Sequence, residues 1–161
     1  FFKLGCPTNV VGGLNRHFSK ERYVNHSFTL VYCVLDLDRL TLEYTSAGHV
    51  GPIVVKKNGT ALRHESLGIP VGMMADAEYP LGTVRLERGD RIFLVSDGVY
   101  EARDPKREEL GLERVLAHLR NEHSNGYSLE YTVNSLARTA YHWAIPQKPD
   151  DDISVVGVEI K

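Results

Sequence analysis

The feature that most limits the fold is residues 27–37, where apolar side chains fall on both faces of a predicted strand. One face would carry Phe28, Leu30, Tyr32 and Val34, and the other would carry Val31, Cys33 and Leu35. A strand with two apolar faces needs cover on both sides. The segment therefore predicts a strand inside a layered fold.

The other elements follow from hydrophobic periodicity and turn signals. Further strands are predicted over residues 40–46, 52–57, 83–86, 91–96 and 153–160. Helices are predicted over residues 107–122 and 128–143, and a weaker one over residues 8–18, where two glycines lower helix propensity. Ser128 is the expected N-cap of the helix over residues 128–143. Consecutive strands, two helices and a last strand predict an antiparallel α+β fold rather than a βαβ repeat.

The composition excludes several classes of protein. The chain has 161 residues and a formal net charge of -2, which is unlike a nucleic-acid-binding or anionic-membrane-binding protein. No apolar run approaches the roughly 20 residues that a bilayer requires. Cys6 and Cys33 are expected to be reduced thiols. We therefore expect a single domain over residues 1–161 in a cytoplasmic protein, with neither nucleic acid nor membrane as partner.

Two acidic segments are the candidates for chemistry. Ser96, Asp97 and Gly98 follow an apolar strand, so the carboxylate has a rigid backbone behind it and the glycine lets a ligand approach. Asp151 lies in a run of three aspartates before the last strand, and a hard divalent cation would relieve their repulsion. Each segment alone also has a simpler interpretation: a strand-ending turn for the first and a solvated acidic loop for the second.

A third motif, residues 47–52, places His49 in a glycine-rich bend between two predicted strands. An imidazole there could be a ligand, an acid or a base, but a lone histidine in a turn is more often structural. The sequence has no GxSxG elbow, no phosphate-binding GxxxxGKS/T loop, no HExxH and no paired CxxC. The acidic segments therefore stay the main candidates.

The order of these motifs resembles a known family. The segments that carry the resemblance are residues 44–52, similar to "AGHPP", 67–72, similar to "LGxPLG", 89–102, similar to "GDxLxLxTDGxxEA", and 151–154, similar to "DDIT". Their order and spacing, from about residue 15 to residue 161, resemble the SpoIIE/RsbU branch of the metal-dependent PPM serine/threonine protein phosphatases.

The resemblance implies an αββα sandwich of two mainly antiparallel sheets flanked by helices. It implies hydrolysis of phosphoserine or phosphothreonine, with two manganese or magnesium ions that activate the attacking water. Asp97 and Asp151 match catalytic metal-ligand positions of the family, and Gly98 matches the glycine that keeps room beside the metal. His49 matches a family position whose role we expect to be architectural.

One family motif, DxxGHG, is not found, because Asp36 and Asp38 lie downstream of its place and lack its glycines. Its aspartate bridges the two metals in the family. We therefore expect this chain to be an N-terminally incomplete domain whose two carboxylates hold a cation weakly. If the first strands of the family domain are missing, the sheet edges that they would cover favour self-association, for instance as a homodimer.

The resemblance also implies biological partners: a phosphorylated anti-sigma-factor antagonist as substrate, and an upstream sensor or receiver domain in bacterial signalling. Two hypotheses stay open. The parent protein is an active phosphatase, or the chain is a catalytically silent domain that binds a partner or transmits a signal. They differ on whether an Asp-x-x-Gly-His-Gly stretch precedes Phe1.

Overall fold

The computed structural model describes residues 5–19, 26–65 and 67–161, which belong to two compact units. One unit comprises Phe1–Gly51 and His64–Leu86, and the other comprises Pro52–Arg63 and Glu87–Lys161. In chain order the elements are α1 Pro7–Phe18, β1 Leu30–Asp36, β2 Thr41–Ala47, β3 Ile53–Val55, β4 Ala61–Arg63, β5 Gly82–Arg85, β6 Arg91–Val95, α2 Asp97–Tyr100, α3 Leu112–Ser124, α4 Leu129–Trp143 and β7 Val155–Glu159.

The first unit is an antiparallel sheet in the order β1-β2-β5, with α1 packed on β1 and β2. The β1–β2 turn is closed by Asp36, whose carboxylate accepts the backbone N–H groups of Asp38 and Arg39 at 3.0 and 2.8 Å. The helix α1 forms despite its glycines because Pro7 starts it and its apolar stripe, with Val10 and Val11, is buried.

The prediction that β1 would be covered on both faces was not met. Every residue of β1 is half-buried, whereas four consecutive residues at the end of β2 are fully buried. The difference arises because β1 lies at the edge of the described sheet and β2 lies at its centre. The continuous run of apolar residues therefore identified the strand but not its place in the sheet.

The second unit is an antiparallel sheet in the order β4-β3-β6-β7, together with α2, α3 and α4. Its centre is buried at β3 and β6. The helix α4 packs on β7 at Gly157, where a Cβ atom would meet side-chain atoms of Val133 and Leu129 at 2.8 and 2.9 Å. The glycine therefore permits this close contact between helix and strand.

The sequence placed one helix too early and missed two short elements. Residues 107–111 are not helical: Arg107 has φ of 67° and Gly111 has φ of 78° as the N-cap of α3. The strand β4 and the helix α2 were not predicted, because each has only three or four residues. The mixed α+β class with two antiparallel sheets is confirmed, and both cysteines are free thiols as expected. Of the described helices, none has the length and apolar character to cross a membrane.

Candidate metal site

The antiparallel pairing of β6 with β7 brings the two acidic segments to one end of a sheet. Val95, the last residue of β6, is opposite Val155, the first residue of β7. Asp97 comes just after the end of β6, and Asp151 comes shortly before the start of β7. In an antiparallel pair the end of one strand lies beside the start of the other. The segments that the sequence could not place together are therefore neighbours.

Ser96 joins these two segments by hydrogen bonds. Its backbone N–H donates to the carbonyl oxygen of Ser154 at 3.0 Å. Its hydroxyl donates to the carbonyl oxygen of Asp152 at 2.8 Å and accepts the backbone N–H of Ser154 at 2.8 Å. Sequence reasoning gave Ser96 no role, although a serine at a strand end can bond to a neighbouring backbone.

Gly98 is buried and lies directly against the backbone of the acidic run. A Cβ atom at this position would be 2.4 Å from the carbonyl oxygen of Asp152 and 3.1 Å from that of Asp151. Any larger residue would push the two segments apart. The close contact between these two segments is enough to explain a glycine at position 98. The role predicted for Gly98, to leave room for a ligand beside the metal, stays a prediction.

Each of the two aspartates uses one carboxylate oxygen locally. Asp97 Oδ1 accepts the backbone N–H of Gly98 at 3.0 Å, and Asp151 Oδ1 accepts that of Asp152 at 2.7 Å. Among the described residues, neither carboxylate forms an ion pair, and the second oxygen of each accepts no hydrogen bond. Free carboxylate oxygens fit a hard divalent cation such as Mg²⁺ or Mn²⁺.

The charge of Asp97 acts on the tyrosine at the end of α2. Burial raises the pKa of Tyr100, and the negative charges of Asp97 and Glu101 raise it further. Burial is the largest of these effects, and the positive charge of Arg63 opposes the two carboxylates.

A small cavity of about 140 Å³ adjoins the acidic segment. Its lining residues are Gly98, Glu101, Ala102, Arg103, Asp150 and Asp151. The nearby arginines already have acidic partners: Arg103 bonds to Glu109 at 2.8 Å, and Arg107 lies 3.7 Å from Asp150. Neither of these arginines forms an ion pair with Asp151.

Two carboxylates do not make a complete metal centre. Within residues 5–19, 26–65 and 67–161, no group of three or more His, Cys, Asp or Glu side chains is placed to hold a metal ion. His49 belongs to the first unit, where its Nδ1 donates to the carbonyl oxygen of Val50 at 2.8 Å. The architectural role of His49 stays a prediction.

The fold is that of PP2C phosphatase domains. The SiaA-PP2C domain of Pseudomonas aeruginosa matches with a TM-score of 0.83 over 97% of this chain and 61% of that chain, at 16% identity. The phosphatase domain of the cell fate determinant SpoIIE from Bacillus subtilis, presoaked with Mn, matches with a TM-score of 0.69 over 98% of this chain and 67% of that chain, at 18% identity.

The sequence defines the family more closely. Residues 2–161 match the family of stage II sporulation protein E (SpoIIE), and the chain belongs to that family, as the motifs predicted. Phosphoserine phosphatase RsbU of Bacillus subtilis (strain 168) is 34% identical over 98 residues, which is 60% of this chain and 29% of RsbU. The chain covers at most 29% of the length of the curated relatives that it matches.

Proposed function

We propose that the chain is a large part of a metal-dependent phosphatase domain that hydrolyses phosphoserine or phosphothreonine on a regulatory protein. The observation that carries the proposal is the end of the β6–β7 pair, where Ser96 and Gly98 hold two unpaired carboxylates in adjacent segments. The name of the related RsbU, a phosphoserine phosphatase, supports the same reaction.

The residues have separate roles in this proposal. Asp97 and Asp151 bind Mn²⁺ or Mg²⁺ through their free oxygens, and Gly98 keeps the two segments in contact. Bound divalent cations supply Lewis-acid stabilisation of the phosphoryl oxygens and activation of water. Two ions are expected in the complete domain, with further ligands from the parent protein.

The wider context belongs to the same proposal. Residues 1–161 belong to one PPM-type phosphatase domain, and the parent protein also carries a sensor or receiver domain. The substrate class is a phosphorylated anti-sigma-factor antagonist, and the reaction takes place in the cytoplasm. The membership of the SpoIIE family supports this assignment.

The direct test measures phosphate release by the full-length protein from a phosphorylated anti-sigma-factor antagonist with Mn²⁺. We expect Asp97→Asn and Asp151→Asn to lower kcat/KM at least about 100-fold, since Lewis-acid stabilisation is worth several kcal/mol and about 1.4 kcal/mol is tenfold in rate. The matched control is Asp76→Asn, at an exposed aspartate of the first unit. Equal rates for Asp97→Asn and the wild type would remove Asp97 from the mechanism.

A second candidate is a catalytically silent domain that binds a partner. The observation that favours it is the lack of a third metal-ligand side chain in the part of the chain that the structure describes. Full-length wild-type protein that binds Mn²⁺ but releases no phosphate would support this candidate. For the 161-residue chain alone we expect much slower release than for the full-length protein, and comparable turnover would contradict that expectation.

A further inference from the structure

The outward face of α4 carries large aromatic side chains. The opposite face, with Thr132, Leu136 and Ala140, is buried in the second unit. On the outward face, Tyr131 is 42% exposed and Tyr141 is 51% exposed. An open groove of about 710 Å³ runs along this face. Exposed aromatic residues in a groove are typical of protein interfaces.

The same face carries one acidic and one basic residue without partners. Glu130 and Arg138 line the groove, are exposed, and form no ion pair within the described residues. They are eight residues apart, so they lie about 12 Å from each other along the helix axis, since each residue rises by 1.5 Å. They cannot pair within one helix, although they lie on the same face.

Part of this face is complementary to itself about Asn134. On α4, two pairs of exposed or groove-lining residues at equal distances before and after Asn134 are complementary: Glu130 with Arg138, and Tyr131 with Ala137. The first pair is oppositely charged, and the second joins a large residue to a small one. Tyr127 and Tyr131 already stack, with ring centroids 4.4 Å apart.

We propose that the outward face of α4 binds a second copy of this chain, with the two helices antiparallel about a two-fold axis at Asn134. In such a pair, residues at equal distances on either side of the axis lie opposite each other. Glu130 of each copy then meets Arg138 of the other, and Tyr131 of each lies over Ala137 of the other. The interface goes beyond the proposed phosphatase activity and does not depend on it.

A second copy fits this face better than other occupants because the face complements itself. Its one carboxylate and one guanidinium cancel, whereas nucleic acid or an anionic membrane requires a basic surface. A stable interface buries about 1,200–2,000 Å² in total. One face of a 15-residue helix supplies less than that. We therefore expect a dimer whose formation depends on protein concentration.

Charge reversal gives the sharpest test. Sedimentation velocity of the full chain over a concentration series should show a dimer for the wild type. Glu130→Arg and Arg138→Glu should each shift the equilibrium to monomer at least about tenfold in dissociation constant, because each places like charges opposite one another twice. An equimolar mixture of the two variants should dimerise again, because both contacts then join opposite charges.

The mixture separates this interface from other modes of association. A wild type that stays monomeric at all concentrations, or a dimer that neither variant weakens, would overturn the proposal. Single variants that weaken the dimer without rescue in the mixture would also overturn it. Circular dichroism of each variant checks that the exposed substitutions leave the fold intact.

A second measurement addresses the two-fold axis. Asn134→Cys places a thiol of each copy at the axis, so mild oxidation should give a disulfide-linked dimer. Arg120→Cys, at an exposed position of α3, is the matched control and should not cross-link. Equal cross-linking of both variants would contradict the proposed geometry.

Discussion

Asp90, in the turn before β6, gives a prediction whose magnitude can be worked out from the structure. Its side chain is 1% exposed and accepts three hydrogen bonds. Oδ2 accepts from Lys56 Nζ at 2.9 Å and from the backbone N–H of Glu87 at 2.9 Å, and Oδ1 accepts the backbone N–H of Lys57 at 2.8 Å. The carboxylate therefore ties the turn before β6 to the end of β3.

Replacing Asp90 by Asn keeps the shape and removes the charge. If the amide oxygen takes the place of Oδ2, the amide NH₂ faces the backbone N–H of Lys57, so one buried donor loses its acceptor. A lost hydrogen bond to a charged group costs about 1.5–3 kcal/mol, and breaking a buried ion pair costs about 3–5 kcal/mol. Lys56 is 29% exposed, so water solvates part of its charge once its partner is lost. The cost should therefore lie near the bottom of the range for a buried ion pair. We expect Asp90→Asn to lower the free energy of unfolding by about 3 kcal/mol.

Urea unfolding of the chain at pH 7, followed by circular dichroism, measures this change. In thermal unfolding it corresponds to a fall in Tm of roughly 6–12 °C for a chain of this size. Asp76→Asn, at an exposed site, is the control and should change stability by less than about 0.5 kcal/mol. A loss below about 1 kcal/mol for Asp90→Asn would refute the reasoning.

The pH dependence of the same variant tests the electrostatic part. Burial disfavours the charged carboxylate, but the bonds from Lys56, Lys57 and Glu87 outweigh it and hold the pKa of Asp90 below its usual value. The stabilisation is thus present above the unfolded pKa of about 3.9 and is lost as the pH falls through the folded pKa. The difference between wild type and Asp90→Asn should therefore stay constant from pH 6 to about 5 and shrink below about pH 4. A difference that does not change with pH would show that charge is not involved.

Four further substitutions or modifications have defined outcomes. Asn15→Ala removes the side chain that donates to the carbonyl oxygens of residues 74 and 75 and accepts the N–H of Gly72. We expect the free energy of unfolding in urea to fall by about 2–4 kcal/mol and hydrogen exchange at Gly72 to become faster. Gly12→Ala, whose Cβ atom has its nearest neighbour at 3.5 Å, should instead raise stability by about 0.5–1 kcal/mol, and a loss would contradict the helical packing. Gly98→Ala should weaken Mn²⁺ binding in calorimetry while the far-ultraviolet spectrum is kept, and unchanged affinity would refute the role of its contact with the acidic run. Burial raises the pKa of Cys33 to about 11, so about one thiol in a thousand is a thiolate at pH 8. The rate of alkylation of Cys33, followed by mass spectrometry, should therefore be low at pH 8 and should rise steeply up to pH 11.

The sequence predicted helices best where capping and periodicity agreed. The helix over residues 128–143 was confirmed, because Ser128 accepts the N–H of Tyr131 and the apolar stripe repeats at helical spacing. The helix predicted from residue 107 was wrong in its first turn. Charged helix formers fill residues 106–109, but Arg103 bridges Glu109 and Gly111 caps α3 with a positive φ. Tertiary contacts override propensity in such a segment.

The sequence proposed the residues of the candidate site but not how they are arranged, and their binding of metal stays a prediction. The ordered motifs of the resembled family pointed to Asp97 and Asp151, whereas each segment alone had a simpler interpretation as a turn or a solvated loop. Their proximity depends on the pairing of β6 with β7, which no local pattern specifies. The hydrogen bonds of Ser96 could not be predicted either, because they form only when those two strands are paired.

The pairing of β6 with β7 has a consequence for folding kinetics. The three helices α2, α3 and α4 lie between these strands along the chain, so the strands can pair only after a long loop has closed. We expect this pairing to form after the transition state, because the entropy of loop closure opposes it until the rest of the unit is folded. A cation that needs both acidic segments would therefore stabilise the native state more than the transition state. Added Mn²⁺ should accordingly slow unfolding and leave the folding rate almost unchanged.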